Sequence, residues 1–514
     1  MNMINRLEFN NIRLFSNNSA SFALPKLTVF CGTNSCGKST ILKTILLLQQ
    51  SQSPLLKQGA LRFTGEQVDL GNYESFVTNN NVKKHINIKI ELTDTIPFPI
   101  LSNILKILKP IPSLSMPSLQ KKYKTDKKIP YILKTSLMFF NPSTSSIDEN
   151  VQEIASVSGE GILKSSEWAM YIENQKVISW NLNAQKEKTK NKYNLIIPTD
   201  CFSPDINEKD NRKNLIFEVG LTGLNIARIA VKPTANKEHL IDLPFFVYEA
   251  MNDFNRVLRR VNYIAPLRAP AQRYYLTNLE VGSKLDSKGD FLPYILGGQV
   301  DEPEIIHTPP KFKKPIKQTL TMALNGWLYY LRTGNTYHKP KQNEFTSSQS
   351  KGVLVEIGLR GIRGNTTHSL ADSGFGYSQV LPILVRCLTA RKGSTTLIEQ
   401  PELHLNPALQ VRLADFFISM LYSDKQLIIE THSEYIVNAL RVRVAEDSKR
   451  HLSKNAIIYY IDLEKNQPVI HKMNINNDGT IPSWPKSFFG EAANLTGTLL
   501  RAQKRVIKME KKTT

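Results

Sequence analysis

The chain has 514 residues, 41% of them hydrophobic, with four cysteines and a net charge of +21. That length calls for roughly two to four structural units, while the absence of any apolar run near the ~20 residues of a bilayer span and of a signal-peptide pattern in Met1-Asn2-Met3-Ile4-Asn5-Arg6 makes a cytoplasmic protein the expectation. So large a positive charge favours a polyanionic partner through counterion release, with a merely solvated basic surface as the alternative.

In chain order, residues 6–22 alternate apolar and polar side chains and predict two antiparallel strands. Leu27-Thr28-Val29-Phe30 is a short apolar, β-branched run that reads as a buried strand, and Ile41 to Leu48 reads as a helix. Between them, Gly32-Thr33-Asn34-Ser35-Cys36-Gly37-Lys38-Ser39 fits G-x-x-x-x-G-K-[ST] in the strand–loop–helix context that a phosphate loop needs. Glycines let the backbone approach phosphate oxygens, and N–H groups at the helix start point at the anion. The expected cradle is Asn34, Ser35, Cys36, Gly37, Lys38, Ser39 and Thr40, with Lys38 on the β/γ-phosphates and Ser39 on Mg²⁺. Cys31 and Cys36 have a ligand-like spacing, but no second pair completes a zinc site, so all four cysteines read as reduced structural thiols.

Short strands and turns are expected over Gly59 to Phe63 and Val68 to Gly71, and a strand over His85 to Leu92. From Pro97 the texture changes: prolines cluster, and lysines gather in Lys121-Lys122-Tyr123-Lys124, Lys127-Lys128 and Lys186 to Lys192. These runs read as exposed loops of an inserted domain, either solvated or, with Tyr123 and Tyr131 interleaved, in contact with nucleic acid. Leu243 to Val261 predicts a long helix bearing Arg256, Arg259 and Arg260, and Gln318 to Gly334 predicts another. Between these helices, Arg268 and Arg273 sit among aromatics and prolines, where nucleotide contact and structural ion pairing are both open readings.

Three further segments bear on the nucleotide. Asp372-Ser373-Gly374-Phe375-Gly376 feeds an apolar helix whose start can bind a γ-phosphate held by a second subunit, through Ser373 and Gly374. Thr395-Thr396-Leu397-Ile398-Glu399 is a strand ending in an acid, the Walker B arrangement that places Glu399 on the metal shell. Gln426-Leu427-Ile428-Ile429-Glu430-Thr431-His432 is a buried strand that presents His432 to a γ-phosphate. The order phosphate loop, Ser-Gly signature, acidic strand and histidine strand resembles the ABC-type ATPase head. The expected fold is therefore an α/β P-loop head of SMC/RecF-like type, with a mixed sheet interrupted by a long insertion. The expected division is residues 1–96 for the first half of the head, 97–350 for the insertion, 351–475 for the second half and 476–514 for a C-terminal extension.

Together with Pro266-Leu267-Arg268, Gln272-Arg273-Tyr274-Tyr275, Glu430-Thr431-His432-Ser433-Glu434 and Trp484-Pro485-Lys486-Ser487-Phe488-Phe489, these motifs resemble the bacterial OLD-like ATPases, often filed among AAA-type ATPases. The resemblance covers both ends and one central segment and leaves roughly residues 97–240 aside. It points to the subgroup without a nuclease domain, which includes ATPase subunits of Septu-type and retron-associated phage-defence systems. That subgroup implies a homodimer with composite ATP sites, a separate HNH-type nuclease as partner, and nucleic acid, including reverse-transcriptase products, as the signal. A DNA-repair or recombination ATPase of RecF type, binding DNA without an effector, is the alternative.

One position departs from the ABC pattern. Where a glutamate usually polarises the attacking water, this chain has Gln400. An amide cannot take the proton, and losing a general base costs about 10²–10⁴-fold. Either Glu402 substitutes, or hydrolysis is slow and ATP acts mainly as a clamp. About 80 residues follow His432, too few for the Toprim nuclease domain of full-length OLD proteins, and no intrinsic nuclease is expected. The basic tail from Arg501 to Lys512 reads as a helical end that is either solvated or docked.

Overall fold

The computed structural model describes residues 3–16, 20–52, 59–65, 67–111, 114, 116–123, 128–141, 160–185, 192–202, 214–230, 242–277, 287–290, 292–297, 304–346, 351–361, 367–373, 375–485 and 498–503. The first half forms β1 (Met3–Asn10), β2 (Ala20–Ala23), β3 (Leu27–Gly32), α1 (Lys38–Gln50), β4 (Ala60–Leu61), α2 (Tyr73–Phe76), β5 (Ile86–Pro97), α3 (Phe98–Ile107) and α4 (Met116–Tyr123). Next come β6 (Lys128–Phe140), β7 (Gly161–Ile172), β8 (Gln175–Ala184), β9 (Lys192–Pro198), β10 (Asn214–Thr222), β11 (Asn225–Ala230), α5 (Asp242–Arg259), β12 (Val261–Ile264), β13 (Tyr275–Thr277) and α6 (Leu292–Leu296). The remainder is β14 (Glu304–His307), β15 (Ile316–Thr319), α7 (Leu320–Tyr330), β16 (Asn335–Thr346), β17 (Lys351–Gly361), β18 (Thr367–Ser369), α8 (Phe375–Thr389) and β19 (Thr395–Glu399). It closes with α9 (Pro407–Tyr422), β20 (Gln426–Glu430), α10 (Glu434–Ala445), α11 (His451–Asn455), β21 (Ala456–Glu464) and β22 (Gln467–Met473).

The central sheet runs β12-β19-β20-β3-β21-β22. Its first five strands are parallel and β22 closes the edge antiparallel. Parallel strands covered on both faces read as continuous apolar runs, and β3, β19 and β20 do so: the strand residues Leu27 to Cys31, Thr395 to Glu399 and Gln426 to Glu430 are all buried. One face, with Phe30, Leu397, Ile428 and Tyr459, packs on α1, α5 and the second sheet. The other, with Val29, Ile398, Ile429 and Ile458, packs on α7 to α10.

The second sheet is antiparallel, in the order β11-β10-β9-β8-β7-β6-β5-β1-β2, with β4 on β7. Period-two burial of Tyr131, Leu133, Thr135, Leu137 and Phe139 along β6 turns one face of it inward. Strands from residues 128–230 thus extend the layer begun by β1, β2 and β5, and residue 97 is the last of β5. Gln426 stitches the two sheets: its side-chain nitrogen donates to the carbonyls of Ile4, Leu24 and Pro25, and its oxygen accepts from Ile4 N and Thr395 Oγ1. A fully buried amide so completely bonded fixes one relative placement of the layers.

Several local expectations change. Lys121, Lys122 and Tyr123 belong to α4 rather than to a loop, and Lys122 pairs with Glu173 at 2.6 Å. Residues 186–191, in the second basic run, lie outside the described residues, as does the tail beyond 503. The helix expected from Gln318 begins at Leu320, because Ile316–Thr319 pairs with β14. Arg256 on α5 is bound to Asp94 and Asp253 at 2.8 and 2.6 Å, which ties the helix to β5. Cys31, Cys36 and Cys387 are buried free thiols, and burial pushes Cys387 up to about 12. Among the described residues no helix is long and apolar enough to cross a membrane. A parallel P-loop sheet, an antiparallel layer beside it, and a long stretch of chain between phosphate loop and signature helix make the fold an ABC-type P-loop ATPase head.

Candidate nucleotide-binding site

Parallel strands bring their C-terminal ends to one edge of a sheet, and ligands bind there. At that edge β3 runs into the phosphate loop, β19 ends at Glu399, β20 ends at Glu430 and β21 passes Ile461 and Asp462. β12 leads within four residues to Arg268.

The loop is shaped by close contacts. Gly32 has φ +142°, and a Cβ there would lie 1.9 Å from the Ile461 carbonyl oxygen, so only glycine lets the loop leave the sheet beside β21. Gly37, at φ +98°, is the N-cap of α1 and abuts the Phe15 ring. Asn34 and Ser35 form the exposed crest, Ser35 with φ 59°, while Cys36 and Thr40 are buried. No side chain caps α1 and its first turn holds no acid, which leaves its N–H groups for an anion. The Lys38 ammonium folds over the loop, donating to the carbonyls of Gly32 and Thr33.

Ser39 Oγ donates to Glu430 Oε1 at 2.9 Å, and Glu430 Oε2 is buried with no hydrogen-bond partner. Glu399 lies opposite Glu430 in the β19–β20 register and accepts from Tyr263 Oη at 3.0 Å. Burial, with the neighbouring Glu430 charge adding to it, pushes Glu399 up to about 7, against a lowering influence of Lys43. Glu430 is raised by burial as well. Among the described residues no group of three or more His, Cys, Asp or Glu side chains could hold a metal alone. The donors here are instead one serine hydroxyl and two carboxylates with an unsatisfied oxygen, which suits a hard divalent ion arriving with phosphate oxygens. Mg²⁺ fits that set, with Ser39, Glu399 and Glu430 as the residues able to hold it.

Gln400 follows Glu399 with φ 45° and its N–H on the Glu430 carbonyl at 2.8 Å. Glu402 has both carboxylate oxygens engaged, Oε2 by Thr431 Oγ1 at 2.7 Å and Oε1 by His432 N at 2.6 Å. It pins the end of β20 and so positions His432. Burial and then Lys38 lower the imidazole pKa, which favours a neutral ring beside the phosphate loop.

Ser373 ends the short 3₁₀ turn before α8, with its Oγ donating to the Ser369 carbonyl at 3.0 Å; Gly374 lies outside the described residues. Arg268 is 5% exposed and bridges α8 to β19, donating to Gln379 Oε1 at 3.3 Å and to the Glu399 carbonyl at 3.0 Å. Burial lowers its pKa to about 10. Arg273 pairs with Asp372 at 2.8 Å, beside Ser373. Both arginines thus make structural contacts around the site. Glu430, Tyr263 and Lys43 carry no role in the motif reading; only an acid at a strand end next to the histidine hinted at the first.

A profile of the AAA ATPase domain family matches residues 3–241 and 299–437, more than half of the chain. The chain belongs to this family. This AAA ATPase domain carries the ATP-binding ATPase function of its class, typically with Mg²⁺. Residues 453–499 match a second family, described as a protein of unknown function (DUF3696). No curated protein matches the chain. Similar solved structures include an Smc head bound to the C-winged helix domain of ScpA, at 10% identity and TM-score 0.38, covering 92% of this chain and 98% of that one. A Pyrococcus furiosus Smc head with an extended coiled coil, bound to the C-terminal domain of ScpA, aligns at 9% identity and TM-score 0.36, covering 92% and 97%. The SMC head domain from Thermotoga maritima aligns at 9% identity and TM-score 0.34, covering 91% and 98%.

Proposed function

We propose that this ATPase is a nucleotide-gated clamp with slow hydrolysis, acting as a homodimer. The observation that carries the slow turnover is the pair Gln400 and Glu402. An amide stands where the general base belongs, and the nearby carboxylate already accepts from Thr431 and His432. Lys38 and the α1 N-terminus would hold the phosphates; Ser39, Glu399 and Glu430 would hold Mg²⁺, which when bound neutralises charge on the transferred phosphoryl group. His432 would donate to the γ-phosphate, and Ser373 with Gly374 would close over a nucleotide held by a partner chain. Single-turnover hydrolysis should be slow, and Glu402→Gln should change its rate less than about tenfold, because one amide oxygen still accepts from the β20 end. Fast hydrolysis abolished by that substitution would make Glu402 the base and overturn the clamp.

The resemblance of the motifs to OLD-like defence ATPases supports a finer reading. In it the dimer restrains or releases a separate HNH-type nuclease in anti-phage defence and senses nucleic acid. Co-expression with neighbouring genes, followed by mass measurement, should yield a stoichiometric complex with such a nuclease. Isolation of the dimer alone, with DNA affinity but no effector, would favour a RecF-like repair role instead.

A further inference from the structure

The hairpin β14–β15 projects a tip, Thr308-Pro309-Pro310-Lys311-Phe312-Lys313-Lys314-Pro315, whose residues from Lys311 onward are all exposed. Its base is built firmly. Thr308 is fully buried, with N and Oγ1 both on Ser423 Oγ at 2.9 and 3.0 Å, and His307 Nε2 meets Gln318 Oε1 at 2.8 Å. Three prolines and the turn bond from Phe312 N to the Pro309 carbonyl, 3.1 Å, restrict the tip itself. On that rigid mount Phe312 is 65% exposed.

Phe312 shares the wall of a cleft with Asp415, Glu446 and Asp447, and each of these carboxylates has a basic partner. Lys313 reaches back to Asp447 at 3.2 Å, and Lys317 pairs with Glu304. Among the described residues Lys311 and Lys314 have no ion-pair partner, nor do Lys449 and Arg450 in the turn that follows Asp447. In the cleft of about 370 Å³ beneath the hairpin, Asp415 and Glu446 are both held by Arg443. The cations left without a carboxylate are therefore Lys311 and Lys314, next to Phe312 on the hairpin, and Lys449 and Arg450 in the turn that Lys313 joins to the hairpin through Asp447.

We propose that this tip is a binding site for single-stranded nucleic acid. The phosphate backbone runs along Lys311, Lys314, Lys449 and Arg450, and one unstacked base lies on Phe312. The proposal rests on the nucleic-acid-sensing reading above and gives it a location apart from the basic runs at 121–128 and 186–192. A rigid exposed ring offers a face that any base can use, and flanking cations supply the rest of the affinity. An acidic protein partner would use the lysines but would have no need of an aromatic stack.

The test is fluorescence anisotropy of the full chain with a labelled 20-nucleotide oligo-dT, between about 50 and 200 mM salt, the range over which counterion release changes affinity most visibly. Phe312→Ala should weaken binding about 5- to 100-fold at each salt concentration and leave the salt slope unchanged. Lys311→Gln with Lys314→Gln should reduce the slope by about 1.4, at ~0.7 for each phosphate that a lysine no longer neutralises. ATP hydrolysis of both variants should match wild type, since neither touches the phosphate loop or the β19 and β20 ends. Wild-type affinity in both variants would overturn the hairpin site while leaving nucleic-acid sensing intact. Failure of the wild-type chain to bind the oligonucleotide would overturn the sensing reading and the site together.

Discussion

Gln400→Glu is expected to raise the single-turnover rate of ATP hydrolysis by about 10²- to 10⁴-fold, the contribution of a positioned general base. The position is already built for one. Gln400 directly follows Glu399, its left-handed backbone turns the chain out of β19, and its N–H is fixed on the Glu430 carbonyl. A glutamate is nearly isosteric there, so neither that backbone conformation nor the bond must change. ATP affinity should stay within a few-fold, because the phosphate loop and Lys38 are untouched, and the effect should fall on the chemical step alone. Rapid-quench measurement with enzyme in excess over ATP separates the two quantities. An unchanged rate beside unchanged affinity would show that water is activated from elsewhere, and the clamp reading would lose its main support.

Much of this site is readable in the chain because its parts are local. Gly32, Gly37, Lys38 and Ser39 fall within eight residues, and β19 and β20 are short buried strands with an apolar centre and acids at their ends. What is not readable is lateral order. Ser39 meets Glu430 because β20 lies between β3 and β19, a fact of sheet assembly that no spacing encodes. Tyr263 reaches Glu399 across 136 residues of sequence for the same reason. For Arg268 the sequence leaves nucleotide contact and structural pairing both open, and folding buries it between α8 and β19, on a carbonyl acceptor invisible before folding. The antiparallel layer is a different case. β6 carries a clear period of two in Tyr131, Leu133, Thr135, Leu137 and Phe139, but the prolines and lysines before it suggested loops. Helix α4 has eight residues, too few for periodicity to stand out from that background.

Without nucleotide, the protein is expected to lose stability as pH rises from about 4.5 to about 7, and Glu399→Gln should remove most of that loss. The cause is the burial of two carboxylates side by side. Glu399 is 3% exposed, faces Glu430 in the next strand, and is pushed up to about 7. Below the ordinary carboxylate value both folded and unfolded chains carry the proton, and the pair costs little. Between that value and 7 the unfolded chain releases a proton that the folded chain keeps, so each step up in pH favours unfolding. The span corresponds to on the order of 3 kcal/mol, fully lost once pH exceeds the folded value. Glu399→Gln keeps the shape and an acceptor for Tyr263 while deleting the charge. The variant should therefore melt higher than wild type at pH 8 and close to it at pH 5. Glu430→Gln should act in the same direction, because it deletes a second buried carboxylate and removes the like charge that raises Glu399. Adding Mg²⁺ with ATP at pH 8 should raise the melting temperature of wild type, by the mass action of a ligand that binds only the folded chain. Chelation with EDTA should return it to the nucleotide-free value. Neither variant should show the full Mg²⁺-dependent gain. Thermal melts at the two pH values, with and without Mg²⁺ and EDTA, read all of this. If wild type and Glu399→Gln shared one pH profile, the two carboxylates would not carry the electrostatic load at the ends of β19 and β20.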